Sequence, residues 1–471
     1  MVVATRPSTS SFTVVSPETP LDELRSKLVG QLLTADSIEY EQARRTQNLK
    51  SNRFPKAIVR AASEYDVSLA VAFAREQGLP LAVRSGGHSL ALYSVVDDAL
   101  VIDLSGMKRV RIDPDERIAY VQPGATSGDL AVPAGEHGLA LSTGDARSVG
   151  MGGLTTGGGI GFMVRKYGLA IDNLLAARVV LADGSIVTTS ATERPDLFWA
   201  IRGGGGNFGI ITEFTYRLAP VGQIYGGALI LPATKEVIRG YLDYAKSAPE
   251  DLTTITNMMF APPAPFIPED KVGSLVLIIL PVWTGSMEDG EKVMAPLRAL
   301  AEPVADLVGP MPYPAIYTFT DFATEPHGAA LRSMFSDDLS DDAIDAILDA
   351  MATASSPFAL VQLRPLGGAL SKVEKYATAF AHRDKDLMLA IINIWLDPAE
   401  DSAPHAAWTE ALWAKVRGEG EGAYVNFLEE EGEARIRDAY PPATYEKLAK
   451  IKAYYDPENV FRFNQNIKPS A

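Results

Sequence analysis

Two glycines and a histidine close an apolar stretch in Val83-Arg84-Ser85-Gly86-Gly87-His88-Ser89. Paired glycines let backbone N–H groups approach an anion closely, as in a phosphate-binding nest. A histidine just beyond such a loop is placed to touch whatever the phosphates belong to. Two further glycine-rich stretches follow, Gly157-Gly158-Gly159-Ile160-Gly161 and Gly203-Gly204-Gly205-Gly206-Asn207-Phe208-Gly209. Three such loops predict a large phosphate-bearing cofactor in extended contact with backbone. Taken alone, His88 also fits a structural histidine bonded to a backbone carbonyl.

The elements that would position these loops can be read from periodicity. Val67, Ala70, Val71 and Ala74 define a helix over residues 63–77, with Ser63 and Asp66 as a capping box and Gly78 as its stop. A strand at 79–83 feeds the first loop. Short strands are predicted at 99–104, 109–112 and 118–121, the last two joined by a turn at 113–116. A second hairpin, 176–181 with 186–189, turns at Asp183-Gly184. The third loop runs into a strand at 210–217. After Pro220-Val221-Gly222 the character changes. Strands are predicted at 224–230, 273–280, 359–363 and 387–395, and helices at 236–247, 288–300, 341–352 and 404–416. This mixture predicts an α+β unit with helices on one face of an antiparallel sheet. A last helix, 443–455, leads into a tail at 456–466.

Several chemistries are excluded. Gly204, Gly206 and Gly209 match G-x-G-x-x-G, but a strand follows where a dinucleotide-binding unit needs a helix. The chain has no G-x-x-x-x-G-K-[ST] and no G-x-S-x-G. Its five histidines, at 88, 137, 327, 382 and 405, never pair at H-x-x-x-H spacing, so no metal site is expected. With no cysteine, disulfides, thiolate nucleophiles and Cys-ligated metals are absent. The net charge of −16 argues against nucleic acid or anionic membrane as partner. The longest apolar run, 275–283, falls far short of the ~20 residues of a membrane helix and reads as a buried strand. Residues 1–20, rich in Ser, Thr and Pro, lack a basic segment followed by an apolar one and read as a flexible lead-in. A cytoplasmic location is expected. At 471 residues, two domains are the natural expectation.

The motifs together resemble the vanillyl-alcohol-oxidase type of FAD-linked oxidases. Arg84 to Ser89 look like its signature. Its berberine-bridge-enzyme branch is resembled by Gly150-Met151-Gly152-Gly153-Leu154 through Gly161, by Lys166-Tyr167-Gly168-Leu169 with Asp172-Asn173-Leu174, by Asp196 through Gly209, and by the tail 456–466. The resemblance implies a two-domain fold with a PCMH-type FAD-binding domain over 1–222 and 420–471. The insertion, 223–419, would be the substrate domain. It implies FAD joined covalently through His88. Its other cofactor contacts would be Arg84, Ser85, Gly86, Gly87, Ser89, Val149, Gly150, Gly152, Gly153, Leu154, Gly157, Gly158, Gly159, Gly161, Asp172, Asn173, Gly209, Ile211, Asn464 and Asn466. Bicovalent relatives carry a cysteine in the stretch matching residues 142–150. This chain has none, so it is monocovalent at most, which favours a smaller or more enclosed substrate. Val149 matches the position that admits or blocks dioxygen, and its small side chain resembles the permissive state.

Tyr424-Val425-Asn426 resembles a Y-x-N segment near the active site of relatives. At alternate positions of an extended segment the two side chains share a face. Tyr424 is the first candidate for general base or substrate orienter, or else a flavin-packing aromatic. Tyr93, just past His88, is a further catalytic candidate. Gln362, Arg364, Asn393 and Trp395 lie two apart within each pair on predicted substrate-domain strands, and are candidates for the substrate pocket by period alone. The expected function is oxidation of a C–OH or C–N carbon of a small cyclic or secondary metabolite by FAD, with dioxygen reduced to hydrogen peroxide. The alternatives are a sugar oxidase giving a lactone, a dehydrogenase with another acceptor, and a non-catalytic flavin-binding module.

Overall fold

The computed structural model describes residues 19–470, except the side chain of Ala323. Of the expected lead-in, residues 1–18 lie outside the described residues. A four-stranded sheet takes the order Gln31–Leu33, Ala57–Arg60, Leu100–Asp103, Leu81–Arg84. Its last three strands are parallel. Parallel neighbours need a crossover, and helix Glu64–Glu76 supplies it between Ala57–Arg60 and Leu81–Arg84, with the expected Ser63–Asp66 capping box. A five-stranded antiparallel sheet follows in the order Val110–Asp113, Ile118–Val121, Ile210–Arg217, Leu174–Val180, Ile186–Ser190. The third glycine loop empties into its central strand.

A nine-stranded antiparallel sheet is built between Gln223 and Trp395. Its middle runs Leu275–Trp283, Leu252–Phe260, Leu360–Pro365, Leu387–Trp395, Gly328–Ser336. Helices Lys235–Ser247, Met287–Arg298, Asp341–Met351 and Ala403–Val416 cover one face, where Tyr241, Leu297, Ile347 and Trp413 pack on Leu277, Met258, Val361 and Ile391. The opposite face, carrying Asn257, Gln362 and Ile392, is left to the glycine loops. Helix Pro442–Tyr455 returns to pack Tyr445 and Leu448 against Trp199 and Phe208 beneath the five-stranded sheet.

Three local expectations change. The strand expected at 224–230 is two, Gln223–Gly226 and Leu229–Pro232. They break at Gly227, which has φ +141° and where a Cβ would lie 2.2 Å from the Leu307 carbonyl oxygen. Strands Leu252–Phe260 and Gly328–Ser336 were not anticipated. The first has almost no polar alternation because it is buried on both faces. The second opens on glycine and two alanines, poor β-formers that tertiary pairing overrides.

Candidate active site

The glycine loops and the uncovered face of the large sheet enclose a cleft of about 440 Å3, within the range of ligand and cofactor sites. The first loop enters it from strand Leu81–Arg84. Gly87, at φ +75°, makes the turn that delivers His88. Gly86 and Gly150 press backbone to backbone: a Cβ on Gly86 would sit 2.4 Å from the Gly150 nitrogen. Ser85 fastens the two loops, donating to the Pro123 carbonyl at 2.6 Å and accepting from the Gly152 N–H at 3.3 Å. His88 is half-buried, with Ser148 Oγ 3.2 Å from its Nε2. Burial, reinforced by neighbouring His327, pushes the His88 imidazole down to about 4. It is therefore neutral at pH 7, and its Nδ1 is left for a ligand.

The third loop is held from below. Asn207 is fully buried, donates to the carbonyls of Gly204 and Gln465, and accepts from the Ile467 N–H. Lys452, also fully buried, donates to the carbonyls of Asn207 and Phe461 and pairs with Asp456 at 2.7 Å. Burial lowers the Lys452 pKa. Removing one partner of a buried pair strands the other, so Lys452→Met is expected to cost about 3–5 kcal/mol of stability. Urea denaturation of the variant beside the parent checks this.

The cleft fits an extended, phosphate-bearing cofactor. The backbone at Gly153 and Gly206 opens onto it, with no atom within 4 Å of where a Cβ would stand. Asn464 donates to the carbonyls of Gly206 and Phe461, while its Oδ1 is buried without a partner beside the cleft. Ser89, Val149, Leu154, Gly159, Gly209 and Ile211 complete the expected lining.

Tyr424 and Asn426 line the same cleft as the first loop. The Tyr424 phenolic oxygen accepts from the Gly159 N–H at 3.0 Å, the Ile160 N–H at 3.4 Å and Asn426 Nδ2 at 3.1 Å. Burial raises its pKa, while these donors and nearby Arg364 oppose the rise. On the sheet face, Arg364 donates to Gln362 Oε1 at 2.7 Å, to the Ile160 carbonyl at 3.2 Å and to Asp145 at 2.7 Å. Gln362 Nε2 donates to Asn257 Oδ1 at 2.9 Å. Tyr93 also lines the cleft, half-buried, and burial raises its pKa.

Other expected site residues fall outside the cleft lining. Arg84 turns away to pair with Asp103 and bond the carbonyls of Ala43 and Arg45. Asp172 pairs with buried Arg383, and Asn173 bonds the carbonyls of Tyr167 and Leu169. Both hold the turn after the second glycine loop rather than a cofactor. Gly157, Gly158 and Gly161 are packing positions, against Asn426, Phe380 and Thr143. Asn393 and Trp395 face the helix layer: Asn393 donates to Ser355 Oγ and Trp395 stacks on His405. Asn466 does not line the cleft. The expectation missed Asp145, Asn257 and His327, all of which line it. For Asn257 a correctly placed strand would have been the signal.

A family profile described as FAD binding domain matches residues 55–190, and one described as berberine and berberine like matches 423–468. The FAD-linked oxidoreductase YgaK of Bacillus subtilis (strain 168) is 33% identical over 460 residues, covering 94% of this chain and 98% of its own. (R)-6-hydroxynicotine oxidase of Paenarthrobacter nicotinovorans is 32% identical, covering 88% and 91%. The crystal structure of 6-hydroxy-D-nicotine oxidase from Arthrobacter nicotinovorans superposes with a TM-score of 0.86 at 27% identity, over 96% of this chain and all of that one. Glucooligosaccharide oxidase from Acremonium strictum, described with a 6-S-cysteinyl, 8α-N1-histidyl FAD, superposes with a TM-score of 0.85 at 27% identity, over 96% and 100%. A PCMH-type FAD-binding fold carrying this cleft defines an FAD-linked oxidoreductase. The chain belongs to the berberine-bridge-enzyme-like branch of that family, and FAD is its cofactor.

Proposed function

We propose that the protein is an oxidase that removes a hydride from a C–OH carbon of a small cyclic metabolite, with FAD tethered to His88 and dioxygen as terminal acceptor. Bound FAD would supply the hydride acceptor. The chain's own part is to hold the substrate and take its hydroxyl proton. The observation that carries this reading is the Tyr424 phenolic oxygen, which receives three N–H donors inside a buried cleft. A neutral phenol accepts comfortably from two donors while keeping its own proton. A third donor favours the phenolate, the form that accepts a proton. As the substrate carbon loses its hydride, Tyr424 takes the O–H proton, leaving a carbonyl product. Return of two electrons and two protons to dioxygen gives hydrogen peroxide and balances the cycle.

Val149, a small side chain, lines the cleft next to Gly150, which supports dioxygen as the acceptor. Stopped-flow reoxidation of the substrate-reduced protein tests the acceptor. We expect air-saturated buffer to reoxidise it within the turnover time, with one peroxide formed per product. Reoxidation only by an artificial acceptor such as dichlorophenolindophenol would establish a dehydrogenase instead.

A further inference from the structure

The direction of hydrogen bonding along the sheet face is fixed by a single group. Arg364 can only donate, so the atom of Gln362 that it meets must be the amide oxygen. Gln362 must then present its nitrogen to Asn257, and Asn257 must accept through its own oxygen. The chain Asp145, Arg364, Gln362, Asn257 therefore runs one way, and it ends with Asn257 Nδ2 left for whatever occupies the cleft. Asn257 itself is 3% exposed. A donor at that depth leaves its hydrogens costly to waste.

The surroundings of that donor are apolar. Leu331, Leu360, Ile392 and Ile394 stand on the same face of the same sheet. Apart from histidines, Asp145 and Arg364 are the only charged residues of the described lining, and they neutralise one another at 2.7 Å. His88 adds no charge at pH 7. At the sheet face, away from the glycine-loop N–H groups that would take the cofactor's phosphates, a ligand cation or carboxylate would thus find no free counter-charge, which is strongly disfavoured in a desolvated site. A chain of sugars would find few partners for its many hydroxyls along the apolar wall.

From this we infer that the substrate is a neutral, ring-sized molecule with a largely apolar body and an oxygen acceptor, a carbonyl or ether, bonded by Asn257 Nδ2. The inference rests on the reading of this cleft as the active site, and it makes Asn257 a specificity-determining residue. The test is binding, scored by isothermal titration of the holoenzyme at pH 8 with four probes: acetophenone, benzylamine, benzoate and cellobiose. Acetophenone is expected to bind at least about tenfold more tightly than each of the others. Asn257→Asp keeps the bond from Gln362 but turns an acceptor and a negative charge into the cleft. It is expected to weaken acetophenone about tenfold and tighten benzylamine about tenfold. Asn257→Leu should weaken acetophenone to the same degree with no gain for benzylamine.

Cellobiose, benzylamine or benzoate binding the parent as tightly as acetophenone would overturn the inference. So would an unchanged acetophenone affinity in both variants, or a flavin-loaded protein that binds none of the probes. Because titration requires no turnover, a wrong reaction assignment with the right ligand order shows up separately, in the stopped-flow experiment.

Discussion

Replacing His88 by alanine is expected to leave a yellow protein whose colour is released by acid. The parent should keep its flavin in the acid pellet. The neutral imidazole is held at Nε2 by Ser148, which leaves Nδ1 as its only other ring nitrogen. No cysteine exists to form a second tether, so loss of His88 removes all covalent attachment at once. The cofactor should still bind, because the open backbone at Gly153 and Gly206 and the unpartnered Asn464 oxygen do not depend on His88. Binding then becomes a mass-action equilibrium, and stability becomes dependent on added FAD. Melting of His88→Ala should shift upward with FAD, whereas melting of the parent should not. We expect kcat to fall about tenfold or more, a barrier increase of at least ~1.4 kcal/mol. Covalent flavin surviving in the variant would remove His88 from this role.

The first glycine loop was legible because its chemistry is local. Gly86, Gly87 and His88 are adjacent, and the strand before them announces itself by apolar residues. Leu387–Trp395 was bounded to the residue for the same reason, and the apolar run 275–283 marked Leu275–Trp283, although the strand itself was expected at 273–280. Facing was harder. Spacing by two says that Gln362 and Arg364 share a face and that Asn393 and Trp395 share a face, but not which. The register supplies the answer, since Gln362 pairs with Ala390. Positions 390, 392 and 394 therefore look toward the cleft, while 393 and 395 look toward the helices. Arg84 and Asp172 carried motif resemblance, yet their charges are consumed by Asp103 and Arg383, partners that only the folded chain brings near. Asp145 belongs to no sequence pattern, and Asn257 sits on strand Leu252–Phe260, which was not anticipated. They became visible only once Arg364 connected them across more than 100 positions of chain.

Tyr424→Phe is expected to keep its flavin and lose about 100- to 10,000-fold in kcat/KM, the usual worth of a positioned base. The pH profile tells catalysis from packing. The working form is the phenolate. Burial, the largest influence on Tyr424, holds its proton on and raises its pKa above the ordinary value of 10.0. The ionised fraction therefore grows as pH rises, and the parent's kcat/KM should climb on the alkaline side toward and beyond pH 10. The phenylalanine variant should lack that limb. Asn426 donates one of the three bonds to the phenolic oxygen and another to the Leu154 carbonyl. Asn426→Leu withdraws a donor that favours the phenolate, so the limb should move to still higher pH with the maximal rate less affected. A purely structural tyrosine predicts a different pattern. Its loss would free the Gly159 and Ile160 N–H groups, at about 1–3 kcal/mol of stability, and would leave the shape of the pH profile as it was. A Tyr424→Phe protein with the parent's alkaline limb would assign the proton to another group, with Tyr93 the next candidate on the cleft wall.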